Sequence, residues 1–290
     1  MKSGKYPYTF ANKDDLAERY LQLLERVLVR SLPRSYESLG PRVADRGKAT
    51  RLGYAAIKRV LGPDRELAQK VNLNLREDGR DGPQTSGETM IGIKRLDNLR
   101  LLIKSVISAG VPGDLIEAGV WRGGAVIFMR AALETYGDRE RMVWAADSFR
   151  GLPDSGGFDD ARLHSGEMSV SLNEVKANFE WYGWLDDRIH FLPGWFKDTL
   201  PSAPMENLAL IRLDGDLYES TYECLKYLYP RLSKGGYIVI DDYNCYPGAK
   251  QATEDFRNEQ SIVDKLVKID WAGVYWQRSS DNAKGKRRET

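Results

Sequence analysis

Two short acidic runs, Asp214-Gly215-Asp216 and Asp241-Asp242, each follow an apolar stretch, 208–213 and 237–240, that reads as a buried strand. If the strands are neighbours, four carboxylates meet at their ends. Bare carboxylates this close repel one another, and their pKa values rise unless a cation neutralises them. Oxygen-only donors suit Mg²⁺, which keeps several waters and needs few carboxylates. Each pair taken alone also reads as a solvated turn or a helix cap. Two pairs at consecutive strand ends point to the cation.

A second constellation lies upstream, at Glu117-Ala-Gly119-Val120-Trp-Arg-Gly123-Gly124. It departs from the dinucleotide pattern G-x-G-x-x-G because an acid stands where the first glycine belongs. The glycines let the backbone pass close to a ligand, and the helix behind them offers free N–H groups. An acid beside such a turn suits an ammonium or sulfonium charge better than a pyrophosphate. Asp147 ends the next apolar stretch, 30 residues after Glu117. A carboxylate there accepts hydrogen bonds from ribose hydroxyls in nucleotide-binding α/β folds. The plain alternative is a helix cap, since Asp147 and Ser148 are both capping types. Together the turn and Asp147 suggest an adenosine-containing ligand. Trp195, just after Gly194 at the end of a third strand, is placed for an adenine ring. His190 sits inside a strand pattern and reads as structural; His164, in the polar connection 150–170, is a secondary candidate base.

These residues need elements to position them. Apolar periodicity predicts helices over 14–32, 96–109, 124–136, 220–232 and 250–259, with a short one near 53–61 inside the otherwise irregular, basic stretch 34–59. A further helix runs from Ser171 to Gly183 and opens with a capping box, Ser171 and Glu174. Residues 75–88 read as a loop. Strands are expected at 114–118, 142–146, 189–192, 208–213, 237–240, 262–270 and 274–277. The last two are joined by 271–273, too short for anything but an antiparallel hairpin. Alternating strands and helices imply a doubly wound α/β sheet, whose ligands bind at the carboxyl ends of the strands. The chain divides into an N-terminal helical lid or arm (1–95), a main domain (96–278) and a flexible polar tail (279–290).

The composition excludes several classes. Among 290 residues, 43 Lys+Arg balance 42 Asp+Glu for a net charge of +1, which argues against nucleic-acid binding. No uncharged apolar run approaches the length of a membrane span, and the first ten residues lack the apolar core of a secretory signal. Two cysteines, Cys224 and Cys245, give no disulfide framework and no zinc spacing, which fits a reducing, cytoplasmic setting. Two histidines rule out a three-histidine zinc centre.

Seven stretches then resemble one family in order: ETMIGIKRLDNL (88–99), DLIEAGVWRGG (114–124), ADSFRGLP (146–153), SLNEVKANF (171–179), FLPGWFKDTLP (191–201), IRLDGDLYEST (211–221) and GGYIVIDDYNCYPGAKQA (235–252). The chain is similar over about 88–255 to the macrocin O-methyltransferase family, the metal-dependent sugar O-methyltransferases of antibiotic biosynthesis. The resemblance implies a class I S-adenosylmethionine-dependent methyltransferase fold: a Rossmann-like doubly wound sheet with an antiparallel final strand, plus an N-terminal helical lid. It implies S-adenosylmethionine and Mg²⁺ as cofactors, a small-molecule glycoside as substrate and a homo-oligomer, with no nucleic-acid or membrane partner. By motif position, Glu117, Gly119, Val120, Gly123 and Gly124 would line the methionine end of the cofactor. Asp147 and Ser148 would meet the ribose, Trp195 and Phe196 would border the adenine, and Met90 with Ile91 would cover the site. Asp214, Asp241 and Asp242 would hold Mg²⁺. A sugar hydroxyl is a weak nucleophile, so a cation would lower its pKa and Asp214 or Asp216 would take its proton. The alternatives are an O-methyltransferase acting on a catechol or other aromatic diol, an NAD-dependent enzyme, and a non-catalytic scaffold.

Overall fold

The computed structural model describes residues 13–31, 36–38, 48–61, 68–70, 72–83 and 85–279. The elements, in chain order, are α1 (Lys13–Leu28), β1 (Tyr36–Ser38), α2 (Lys48–Leu61), β2 (Ala68–Lys70), α3 (Leu73–Glu77), α4 (Gly92–Ser108), β3 (Asp114–Ala118), α5 (Gly124–Thr135), β4 (Val143–Asp147), α6 (Leu172–Tyr182), β5 (Ile189–Pro193), α7 (Phe196–Thr199), β6 (Leu208–Leu213), α8 (Tyr218–Leu228), β7 (Leu232–Ile240), α9 (Pro247–Glu259), β8 (Val267–Lys268) and β9 (Val274–Gln277). Seven strands form one sheet in the order β5-β4-β3-β6-β7-β9-β8, and β1 pairs with β2 in a separate small ribbon. β3 to β7 are parallel; β9 is antiparallel to both β7 and β8.

The parallel strands are predominantly apolar because helices cover both sheet faces. Successive side chains point to opposite faces, and the two cores follow that alternation. Leu115, Val143, Ala145, Leu210 and Val239 pack with α1, α4, α5 and α6 on one side. Ile116, Trp144, Ala146, Ile211, Leu213, Ile238 and Ile240 pack with α8, α9 and Trp276 on the other. The same parity assigns Glu117, Arg212 and Asp241 to the α4 side. Leu21, Leu24 and Leu28 of α1 share the core of α4 and α5, so α1 is packed into the main body.

The helices expected at 96–109 and 124–136 form at Gly92–Ser108 and Gly124–Thr135, and Ser171 caps α6 by accepting from the Glu174 N–H. The strand expected at 262–270 shrinks to Val267–Lys268. Ser261 turns left-handed (φ 55°) to end α9, and the Ile262 N–H closes back on the Arg257 carbonyl, so the start of that run is spent terminating a helix. α8 begins at Tyr218, and its expected last turn tightens into a 3-10 turn, Tyr229–Arg231, around Pro230. The start of the 75–88 loop is the end of α3, a helix whose N-terminus the Asn72 side chain caps by accepting from the Leu75 N–H. α2 is longer than the helix expected near 53–61, while much of the rest of the basic stretch 34–59 and the tail from 280 onward lie outside the described residues. Among the described residues no helix is long and apolar enough to cross a membrane.

Candidate active site

The carboxyl ends of β3, β4, β6 and β7 meet at one cavity of about 1380 Å³. Their closeness depends on Gly119. This residue has φ 93°, and a Cβ on it would lie 1.7 Å from the Asp214 carbonyl oxygen. The Asp214 N–H in turn donates to the Ala118 carbonyl at 2.8 Å. The chain then reverses through Gly215 into Asp216, a non-glycine residue held at φ 55°. Such left-handed positions cost energy and concentrate at functional sites. The Asp216 N–H donates to Asp242 Oδ2 at 3.2 Å.

This turn brings Asp214, Asp216 and Asp242 together, with one carboxylate oxygen from each lying within 4.8 Å of the others. Asp242 is buried, and Asp214 and Asp216 are half-buried. Burial raises the pKa of all three. The charge of Asp241 adds to the rise at Asp214, and that of Asp216 adds to it at Asp242.

Asp241 itself faces arginines: one oxygen lies 2.5 Å from Arg212 Nη2 and the other bonds Arg95. Arg212 also pairs with Glu117, its register partner across β3 and β6, and reaches Asp214 at 3.0 Å. Arg95 extends the chain to Asp270 at 3.0 Å and to the Gly79 carbonyl. Glu117 is fully enclosed; burial pushes its pKa up to about 8, against the pull of Arg212. Six carboxylates (Glu117, Asp214, Asp216, Asp241, Asp242, Asp270) therefore share two guanidiniums. The surplus of negative oxygen donors, gathered on three converging side chains, fits a hard divalent cation.

The glycine turn is braced by Asp147. Its Oδ2 accepts from the N–H groups of Val120 (2.7 Å) and Trp121 (3.3 Å), and its Oδ1 from that of Phe149 (2.7 Å). Both oxygens that sequence reasoning assigned to ribose thus hold the backbone, although Asp147 still lines the cavity with Ser148. Trp195 and Phe196 line it at the end of β5, and Met90 lines it from the N-terminal segment, as do Gly119, Asp214, Asp216, Asp241 and Asp242.

Five expected cofactor residues are not among those that line the cavity. Ile91 and Val120 are buried in the core. Gly123 seats the Phe179 ring, which a Cβ would approach to 2.7 Å, and Gly124 donates its N–H to the Glu88 carbonyl. One oxygen of Glu117 bonds Arg212, while the other is buried with no hydrogen-bond partner among the described residues. His190 stacks on Trp144 at 4.5 Å, and His164 is exposed. Sequence reasoning missed Arg95, Arg212 and Trp271, whose indole N–H donates to the Asp78 carbonyl at 2.7 Å. Arg212 did leave a signal, a lone charge in an apolar strand. Arg95 left none, since an arginine on an amphipathic helix reads as surface.

Comparison with known proteins places this architecture. Residues 17–278, from α1 through β9, match the family model described as Macrocin-O-methyltransferase (TylF). The chain belongs to the macrocin O-methyltransferase family. As a member of that family it is an O-methyltransferase, and its sheet is that of the class I S-adenosylmethionine-dependent methyltransferases. Its curated relatives in the family include the 8-demethyl-8-(2,3-dimethoxy-alpha-L-rhamnosyl)-tetracenomycin-C 4'-O-methyltransferase of Streptomyces olivaceus, 52% identical over 71% of this chain and 81% of that protein. The demethyldecarbamoylnovobiocin O-methyltransferase of Streptomyces niveus is 51% identical over 71% of this chain and 80% of its own. Among solved structures, the O-methyltransferase NovP superposes with a TM-score of 0.76 at 42% identity, covering 91% of this chain and all of that one.

Proposed function

We propose that this macrocin O-methyltransferase family member transfers a methyl group from S-adenosylmethionine to a hydroxyl of a sugar or deoxysugar on a glycosylated natural product, with Mg²⁺ bound at the strand ends. The observation that carries the reading is the sharing of one cavity by the Gly119 turn and the Asp214–Asp216–Asp242 cluster. One curated relative is named for O-methylation of a rhamnosyl-tetracenomycin, and another for 3''-O-methylation of mycinamicin III.

When bound, S-adenosylmethionine supplies a methyl group activated by a sulfonium charge, and a divalent cation supplies the positive charge that makes a sugar hydroxyl acidic. The chain's own residues do the rest. Gly119 lets the backbone approach the ligand, Ser148 lines the cavity beside it while its hydroxyl donates to the Gly151 carbonyl, and Trp195 and Phe196 give it an aromatic border. A carboxylate of Asp214 or Asp216 accepts the hydroxyl proton. Holding the oxygen in line with the methyl carbon is a matter of positioning, and the cavity wall performs it. Asp214 and Asp242 are common to the cluster in the structure and to the set that the family resemblance implied. The third donor is Asp216, which the fold brings beside them, or Asp241, which the resemblance named.

The test is calorimetry of S-adenosylhomocysteine with and without Mg²⁺, followed by methyl-transfer assays on demethyldecarbamoylnovobiocin, mycinamicin III, a simple rhamnoside and a catechol. Cofactor binding with Mg²⁺-dependent methylation of a glycoside supports the proposal. Turnover of the catechol alone moves the acceptor to an aromatic diol, and absence of cofactor binding overturns the proposal. Titrating Mg²⁺ itself into the unaltered protein and into Asp216→Asn and Asp241→Asn identifies the third donor as the one whose loss abolishes the Mg²⁺ heat.

A further inference from the structure

Residues 152–167 leave and rejoin the fold at one point. The Leu152 N–H donates to the Glu167 carbonyl and the Gly166 N–H to the Leu152 carbonyl, both at 2.9 Å. Gly151 (φ 83°) stands at this neck, where a Cβ would come within 2.4 Å of the Glu167 oxygen. The segment is an Ω-loop, a compact excursion whose ends touch. Its inner side carries a small core of its own, Leu152 and Leu163 against Leu217. Asp160, Arg162, Leu163 and Ser165 line the cavity.

One carboxylate fastens the loop's tip. Asp159 Oδ1 accepts from the N–H of Tyr218, the first residue of α8, at 2.7 Å, while Oδ2 accepts from the Gly156 N–H at 2.6 Å. The same Oδ1 lies 2.1 Å from where a Cβ on Gly248, in the first turn of α9, would be. Asp159 therefore sits between the positive N-terminal ends of two helices, in a seat that exists because residue 248 has no side chain. Beside it Phe158 stacks on Tyr218 at 5.0 Å, and Tyr218 stacks on Tyr222 at 6.0 Å.

We propose that Asp159 is a positioning residue that latches this Ω-loop over the acceptor side of the cavity, and that Gly248 is the seat the latch requires. The inference rests on the reading that the cavity takes an acceptor beside the acidic cluster. The loop's inward residues then form the wall that selects the acceptor. Releasing the latch lowers the fraction of molecules whose wall is in place, and the apparent acceptor affinity falls by that fraction.

Two substitutions attack the latch from opposite sides: Asp159→Asn weakens the carboxylate, and Gly248→Ala fills its seat. Hydrogen–deuterium exchange on the S-adenosylhomocysteine complex reads the loop without any acceptor. Steady-state kinetics use whichever compound of the panel above the unaltered protein methylates. Both variants are expected to exchange faster across 156–166 and to raise the acceptor KM about tenfold, with kcat and S-adenosylhomocysteine affinity within about threefold of the parent. Unchanged exchange in both variants overturns the latch. Faster exchange with an unchanged KM overturns the loop's role toward the acceptor. Loss of cofactor binding in both would show that Asp159 supports the fold instead of the acceptor wall, and would also overturn the proposal. Failure of the unaltered protein to bind S-adenosylhomocysteine is the separate failure of the functional reading.

Discussion

Arg212 is the residue on which the acidic end of the sheet turns. It is buried, lies within bonding reach of Glu117, Asp214 and Asp241, and stands where the strand otherwise reads Leu-Ala-Leu-Ile. Removing one member of a buried ionic group leaves its partners charged and dry. Arg212→Met is therefore expected to cost about 3–5 kcal/mol of unfolding free energy in chemical denaturation. Asp216→Asn should behave differently. If Asp216 is the proton acceptor, kcat falls about 10²- to 10⁴-fold while S-adenosylhomocysteine still binds; a kcat near the parent's assigns the base to Asp214. The meeting of Asp214, Asp216 and Asp242 was legible in the sequence because each follows a strand whose apolarity was plain. The commitment of Glu117 and Asp241 to arginines was not legible. It depends on the register of β3 against β6 and on α4 crossing the sheet beside Asp241, neither of which a linear pattern specifies.

Among elements, the β3–α5 turn and the end of β6 are interlocked, and Gly119 is where they touch. Gly119→Ala would place a methyl group 1.7 Å from the Asp214 carbonyl at a backbone angle that alanine disfavours. The two strand ends must part, so the variant is expected to lose stability and activity together, read as a fall in Tm alongside a fall in kcat. By contrast, Ser171→Ala removes only the cap of α6. It should cost about 1 kcal/mol in denaturation without changing the acceptor KM. Strands buried on both faces and helices with clear caps could be read from the chain to within a few residues. The edge strand β8 could not, because the apolar residues Ile262 and Val263 that precede it carry no sign that Ile262 is used to close α9. The Ω-loop was recognised as a polar connection, but its fastening to α8 and α9 joins residues 59 apart or more.

For the whole molecule, the N-terminal helix is held by charge as well as by its leucines. Arg100 of α4 bonds Glu18 and lies 3.3 Å from Glu25, both on α1, and it also pairs with Asp97. Glu25 is buried, and burial pushes its pKa from 4.5 up to about 7 despite the nearby guanidinium. Between those values the folded protein keeps a proton that the unfolded chain has released, so this group's contribution to stability falls as pH rises through the window. Above about pH 7 the carboxylate is charged in both states and its burial is a standing cost. Glu25→Gln is expected to raise unfolding free energy by about 1–3 kcal/mol at pH 8 and to change it little at pH 4.5. Thermal melts at the two pH values measure the difference, and an equal effect at both would assign it to packing.

The neck at Leu152 and Glu167 has a consequence for how this scaffold can change. Two backbone hydrogen bonds fix both ends of the excursion regardless of what lies between them. A segment bounded in this way tolerates insertion and replacement better than one woven into the sheet. Residues 153–166 are thus a cassette: exchanged between relatives as a unit, with an acid kept opposite Gly248, they offer a route to redirect the enzyme to a new molecule while leaving the strands and their chemistry in place.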